Sequence, residues 1–367
     1  MKILFIDTRL DGHHYTYLSS LVTASASEGN ENYLLLPPNC YNFDGVTEVI
    51  ISNNCYNADL NYFAWIQEVK KLAEKIKPDV VHFLTGDIFY RYFGLGLRSL
   101  KKKYPILITL HQIRRSTLRD ISLKCISNSA DILVVHTEKI QSDLKKMGIY
   151  NTRHIEYPRF NTVSAFTKGE AFSMLANECP KQKVLLALGA TREEKGLDIL
   201  LKALRKVEAP FYLIIAGAED YYTRDFIERE INSYRENVLL ILDYLSELMF
   251  AACINASDII VLPYKKSFDG ASGPLGEGVW LSKEIIGANH GSLGRIIEDN
   301  HLGYTFESEN SDSLASVLNC ALISDFKIDN KFEKYRISLN AKYFQQSYVE
   351  LYNGFMLKDR KSQTDKK

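Results

Sequence analysis

The stretch Ala256–Phe306, ASDIIVLPYKKSFDGASGPLGEGVWLSKEIIGANHGSLGRIIEDNHLGYTF, decides the fold. Its apolar run Ile259–Leu262, closed by Pro263, is the pattern of a buried parallel strand that ends at a loop. Gly270, Gly273, Gly276 and Gly278 then fall within nine residues. Glycines at this density let a backbone approach a ligand and turn N–H groups toward it, and a helix starting near Pro274 would point its positive end at an anion. A second strand, Glu284–Gly287, leads into another glycine loop, Gly291–Gly294, and a helix over Arg295–Asp299. Strand, glycine loop and helix in immediate repetition is how doubly wound α/β proteins grip phosphorylated ligands.

The rest of the chain extends this pattern in both directions. Toward the N-terminus, Lys2–Asp7, Tyr33–Leu36, Val80–Leu84, Ile106–Leu110 and Ile132–Val135 read as short apolar strands, and Asp11–Tyr17 as a glycine-containing turn into a helix. Tyr62–Ile76 reads as an amphipathic helix, with Phe63, Ile66, Val69 and Ala73 at helical spacing, ended before Pro78. Strands separated by helices of this length predict a parallel sheet. A stretch without clear period, containing Pro158, Gly169 and Pro180, marks a domain boundary, so residues 1–165 form one Rossmann-like domain and 166–335 a second. The second sheet begins with Val184–Leu188, Phe211–Ala216 and Val238–Leu242, and the helix Leu197–Val207 shows the stripe Leu197, Leu200, Leu201, Leu204 and Val207. Residues 336–357 are expected to be a last helix, and 358–367 a basic, disordered tail.

Composition excludes several classes. A length of 367 residues predicts two domains. Lys plus Arg equals Asp plus Glu at 45 each, which removes the electrostatic case for nucleic-acid binding. The six Cys form no CxxC pair and no His stands at zinc-site spacing, a pattern of reduced thiols in a cytoplasmic protein. No apolar run approaches the roughly 18 residues of a membrane span, so any membrane contact would be peripheral. The elbow of serine hydrolases, the His-Glu-x-x-His metalloprotease signature, the phosphate loop of nucleotide hydrolases and the dehydrogenase fingerprint after the first strand are all missing.

Candidate site residues cluster at strand ends. In LALGATREEKG, Leu186–Gly196, Gly189 follows a strand, the guanidinium of Arg192 can clamp two oxygens, and Lys195 sits where a helix start would hold a diphosphate. His111 follows the strand Ile106–Leu110, at the edge where open α/β sheets bind ligands. His82 lies inside an apolar strand and reads as a core residue. Gly12, His13 and His14 form the first strand-to-helix loop; adjacent His rarely face one ion and no third ligand is evident, so no metal is expected. Lys101, Lys102, Lys103, Arg114, Arg115 and Arg119, with Tyr90, Tyr92 and Phe93, outline a basic and aromatic surface suited to anionic lipid head groups or a pyrophosphate-linked acceptor, or simply a set of solvated charges.

Asp269 and Glu277, with seven residues between them, carry a resemblance. The stretch resembles the donor-binding half of the retaining GT-B glycosyltransferases of the family 4 type, the glycosyl transferases group 1. The resemblance implies two Rossmann-like doubly wound domains facing a cleft, with the last helix crossing back to the first domain, and transfer of a sugar from a nucleotide-sugar donor with retention. By the same resemblance Glu277 binds the donor ribose, while Asp269, a Glu in the family, and His111 line the transferred sugar. The loop containing Gly270, Ser272 and Gly273 faces the donor, and Gly12, His13 and His14 occupy the loop that approaches donor and acceptor. The family has Arg directly after Gly189 and Lys five further on; Ala190 takes the first place here and Lys195 keeps the second. The nucleotide sugar is then a substrate rather than a cofactor, and the acceptor is a glycan or lipid-linked molecule, as in polysaccharide biosynthesis. The rival readings are another GT-B enzyme, either a nucleotide-sugar epimerase or an inverting transferase, and a non-catalytic nucleotide-sugar binder or scaffold.

Overall fold

A computed structural model describes residues 1–10, 13–38, 42–56, 59–111, 113, 116–160, 166–176, 178–268 and 272–364. The chain divides into two compact units: Met1–Phe160 with Ala341–Lys367, and Asn161–Asn340.

In the first unit the strands are β1 (Lys2–Ile6), β2 (Glu31–Leu36), β3 (Glu48–Ile51), β4 (Cys55–Tyr56), β5 (Asp59–Leu60), β6 (Val80–Phe83), β7 (Ile106–Leu110), β8 (Ile132–Val135) and β9 (Thr152–His154). Seven of them form one parallel sheet in the order β3-β2-β1-β6-β7-β8-β9, and β4 and β5 pair as a separate antiparallel ladder. The central strands are apolar runs buried on both faces, which is why they lack strand-type alternation. The helix Tyr62–Ile76 has the expected bounds; the Asn61 side chain caps its start, and Lys77 ends it in the left-handed conformation just before Pro78. Its inward face is Tyr62, Trp65, Ile66, Val69, Leu72, Ala73 and Ile76. Phe63 is therefore a correction: the larger Tyr62 and Trp65 take the inner stripe and leave Phe63 61% exposed.

The last helix, Ala341–Thr364, is part of this unit. It packs on the helix His13–Ser27 through Phe344, Tyr348, Tyr352 and Phe355, all buried. It continues through Thr364, into the stretch expected to be disordered; residues 357–364 contain no Pro or Gly to stop it.

In the second unit the strands are β10 (Lys183–Leu188), β11 (Phe211–Ala216), β12 (Val238–Ile241), β13 (Ile259–Leu262), β14 (Glu284–Ala288) and β15 (Gly303–Phe306). They form a parallel sheet in the order β12-β11-β10-β13-β14-β15. The helix over Arg295–Asp299 starts earlier than its apolar pattern, at Gly291, directly after the loop residue His290. No helix among the described residues is long and apolar enough to cross a membrane.

Candidate functional site

The strand order of the second sheet places a switch point between β10 and β13. From β10 the chain proceeds outward to β11 and β12, then returns to β13 on the other side, so the loops after β10 and β13 diverge and leave a crevice at the C-terminal edge. Gly189 leaves β10 with a φ of +117°, and its N–H donates to the Ala216 carbonyl at 2.8 Å. Gly217, the residue after β11, presses against it: a Cβ at Gly217 would lie 2.3 Å from the Gly189 carbonyl group, so only glycine allows the two loops to meet.

Beyond Gly189 the buried hydroxyl of Thr191 donates to the Tyr222 carbonyl and accepts from the Asp220 N–H, both at 2.8 Å. Residues Glu193–Lys195 form a short 3-10 turn, and the helix Leu197–Leu204 starts only after Gly196. Lys195 therefore lies in the turn rather than at a helix start. Two contacts fix that turn to the end of β13. The Lys265 N–H donates to the Glu194 carbonyl at 3.0 Å, and Gly196 packs so tightly that a Cβ there would stand 2.0 Å from the Pro263 carbonyl oxygen. The Lys195 ammonium consequently sits over the ring of Tyr264, 3.9 Å from its centroid, and 4.4 Å from that of Phe268. Among the described residues this ammonium has no carboxylate partner. Arg192 differs: it is exposed and pairs with Glu194 at 3.3 Å.

The opposite wall is the helix Gly273–Trp280. Ser272 caps it, accepting from the Leu275 N–H at 3.4 Å, and Pro274 occupies its first turn. Among the described residues nothing lies within 4 Å of a Cβ placed at Gly273 or Gly276, so this face of the helix start is open toward them. Glu277, one turn along, is 8% exposed. The Tyr264 hydroxyl lies 3.0 Å from the Ser272 hydroxyl, which links this cap to the ring under Lys195. The following loop joins in through His290. Its Nε2 donates to the Phe268 carbonyl at 3.4 Å, and its Nδ1 accepts from the Ser308 hydroxyl at 2.9 Å. Gly189, Lys195, Ser272, Gly273 and Glu277 are thus carried by the elements flanking one crevice, while Asp269 and Gly270 lie outside the described residues.

The first unit has its own edge. Asp7, just past β1, accepts on Oδ1 from the N–H groups of Thr8 and Arg9 and the hydroxyl of Thr85. Its Oδ2 lies 3.4 Å from Nδ1 of His14. His111 follows β7, donates from Nε2 to the Leu84 carbonyl at 2.9 Å, and has its ring 5.5 Å from that of His14 and 5.3 Å from that of His136. Gly12 lies outside the described residues, and His13 begins the helix His13–Ser27 without a described side chain. His82 is a core residue, as its apolar setting implies.

The basic and aromatic surface is broken up. Lys101 donates to the carbonyls of Ala130 and Asn128, Lys103 pairs with Glu74 at 2.6 Å, and Tyr92 stacks on Tyr62 at 4.0 Å; Arg114 and Arg115 lie outside the described residues. Sequence reading missed Asp7, His136, Thr191 and Tyr264. For Tyr264 a signal existed: an aromatic residue directly after the proline that closes β13.

Known proteins resemble this chain in sequence and in fold. Residues 176–338 match the family described as glycosyl transferases group 1. An uncharacterized glycosyltransferase of Methanocaldococcus jannaschii is 22% identical over 253 residues, 66% of this chain and 67% of that protein. Among solved structures, sucrose-phosphate synthase from Thermosynechococcus elongatus aligns with a TM-score of 0.78 at 16% identity, covering 97% of this chain and 99% of that one. A glycosyltransferase from Rickettsia africae gives 0.74 at 16% identity, covering 97% and 98%. Anabaena HepE, solved in complex with UDP, gives 0.72 at 15% identity, covering 96% and 100%. These likenesses identify the fold as GT-B, with two Rossmann-like domains.

Proposed function

We propose that this chain, whose residues 176–338 match the family described as glycosyl transferases group 1, is a glycosyltransferase that moves a sugar from a nucleotide-sugar donor to a glycan or lipid-linked acceptor with retained configuration. The observation that carries this reading is the crevice at the β10/β13 switch point, where the Lys195 ammonium and the open start of the helix Gly273–Trp280 flank the place where a diphosphate would lie. HepE, which shares the fold, binds UDP and UDP-glucose, consistent with a nucleotide-sugar donor here.

In this reading Glu277 holds the donor ribose, and Lys195, Arg192 and the N–H groups of the Ser272–Gly273 segment receive the diphosphate. Negative charge builds on that diphosphate as the glycosidic bond breaks and the sugar becomes oxocarbenium-like. A fixed cation and oriented N–H dipoles therefore favour the transition state over the ground state, without a metal ion in that role. Arg192 would exchange its Glu194 partner for phosphate oxygens on binding. His111 and Asp269 would orient the transferred sugar.

A non-catalytic nucleotide-sugar binder is the second reading, favoured by Ala190 where the family has Arg. The test is calorimetric titration and thermal shift with UDP, GDP, ADP and their sugars. A ligand specific to the folded state adds about 2.7 kcal/mol at a hundredfold excess over its Kd. Glu277→Ala should abolish donor binding, and undiminished binding would sink the donor-site assignment. A product-anomer assay then reports retention, and binding without product selects the second reading.

A further inference from the structure

We propose that Tyr264 is a positioning residue that sets the diphosphate affinity of this site by holding Lys195 and the Ser272 helix cap in register. The proposal rests on the reading of Lys195 as a diphosphate cation and adds the residue that makes that cation effective.

Tyr264 is 2% exposed, so its ring is fixed by packing. Phe268 meets it edge-on, with centroids 4.6 Å apart and planes at 62°. The ammonium of Lys195 lies over both rings, at 3.9 Å and 4.4 Å. Lysine ordinarily keeps a flexible, strongly hydrated head group in water. Here the 3-10 turn is tied to the end of β13 by the Lys265 to Glu194 hydrogen bond and the Gly196 to Pro263 approach, which delivers the ammonium to the aromatic pair. Ring faces attract a cation without neutralising it, so the full charge stays available to an anion. A carboxylate partner would instead compete with the phosphate.

The same side chain reaches the other wall. Its hydroxyl stands 3.0 Å from that of Ser272, which accepts from the Leu275 N–H and so shapes the start of the helix Gly273–Trp280. One buried tyrosine thereby connects two sources of positive potential that belong to different loops. Ordering both before the ligand arrives removes that cost from binding.

The experiment measures the affinity of the native chain and its variants for the tightest binder among UDP, GDP and ADP, and for the matching nucleoside. Tyr264→Phe keeps the ring and loses the hydroxyl; Tyr264→Leu loses both. We expect Tyr264→Leu to weaken the nucleoside diphosphate by about five- to thirtyfold and leave nucleoside affinity unchanged, and Tyr264→Phe, which keeps the ring beneath Lys195 but releases Ser272, to recover only part of that loss. In a double-mutant cycle with Lys195→Met, the combined loss should fall well below the product of the two single losses. If Lys195→Met binds the diphosphate as the native chain does, the donor-site reading of Lys195 fails and this proposal with it. If Lys195→Met loses affinity while Tyr264→Leu does not, or if the two effects multiply independently, that reading stands and the positioning role is overturned. Should Tyr264→Leu not fold, Phe268→Leu removes the second ring beneath the ammonium; a diphosphate-selective loss supports the proposal, and native affinity overturns it.

Discussion

The hydroxyl of Tyr352 lies 2.9 Å from Nδ1 of His82, a residue 270 positions earlier in the chain. The other ring nitrogen of His82 is 2.9 Å from the Thr109 hydroxyl, so both nitrogens of a fully buried imidazole are satisfied. Tyr348, one turn before Tyr352, bonds the same Thr109 hydroxyl at 3.1 Å and the hydroxyl of Tyr17. The last helix is thus held by directional bonds as well as apolar packing, and those bonds end on β6, on β7 and on the helix His13–Ser27. Removing one partner strands a buried polar atom.

Tyr352→Phe should therefore destabilise the first unit by about 1–3 kcal/mol, the cost of an unsatisfied buried group. Tyr348→Phe breaks two bonds and should cost at least as much. Urea denaturation measures the loss, and faster proteolysis within residues 341–364 would locate it. Native stability of both variants would mean that apolar packing alone docks the helix.

Acid should loosen the same contact. Burial, reinforced by the neighbouring His111, lowers His82 from its ordinary 6.5 to about 3. Its folded value lies below the unfolded one, so between these values the unfolded chain binds more protons and stability falls as pH drops from about 6.5 toward 3. His82→Gln should flatten that part of the profile, at some cost in stability at pH 7. The check is the melting temperature of both proteins across the window.

Glu284 predicts the opposite slope. It opens β14, is 3% exposed, and its Oε1 has no hydrogen-bond partner among the described residues; burial raises its carboxyl to about 7 despite the nearby Lys183. Here the folded form holds the proton more tightly than the unfolded one, so stability falls as pH rises from about 4.5 to 7. Glu284→Gln supplies a neutral isostere and should stabilise the second unit above pH 7 by on the order of 1–3 kcal/mol, with little effect below pH 5. Equal melting shifts at pH 5 and pH 8 would exclude titration of Glu284 as the cause.

The strands were legible because parallel strands buried on both faces must be apolar runs: Ile106–Leu110, Ile132–Val135, Phe211–Ala216 and Ile259–Leu262 have the same bounds in sequence and structure. The edge strand β3 was not, because its apolar run is only the three residues Val49–Ile51, largely exposed and too short to stand out. Of the candidate site, the positions fixed by spacing could be read from the sequence: Gly189, Lys195, Ser272, Gly273 and Glu277 come to one sheet edge. What spacing cannot show is the partner of each group. That Lys195 lies over two rings depends on β13 and β10 being adjacent, a consequence of strand order, while the Arg192 pair with Glu194 is local to its loop. Likewise Asp7, His14, His111 and His136 gather only because β1, β6, β7 and β8 are neighbours, and β1 is distant in sequence from the others.

Two glycines of the candidate site should respond to alanine in opposite ways. Gly196 has a φ of +66°, and a Cβ there would stand 2.0 Å from the Pro263 carbonyl oxygen. Left-handed backbone at a non-glycine residue costs about 1–3 kcal/mol before any clash, and the neighbour here is backbone that cannot rotate aside. Gly196→Ala should thus destabilise the second unit and, by pushing the 3-10 turn off β13, displace Lys195. At Gly273, at the start of a helix capped by Ser272, no described residue occupies the space where its Cβ would be. Gly273→Ala should leave the fold intact, with stability within about 0.5 kcal/mol of native, the range of surface changes that disturb no special feature. If phosphate oxygens occupy that space, the added methyl group would collide with them, and nucleoside diphosphate affinity should fall about tenfold or more, a loss of about 1.4 kcal/mol. Paired melting and titration experiments separate the two outcomes. A Gly273→Ala protein with native stability and native affinity would show that the diphosphate does not sit at this helix start.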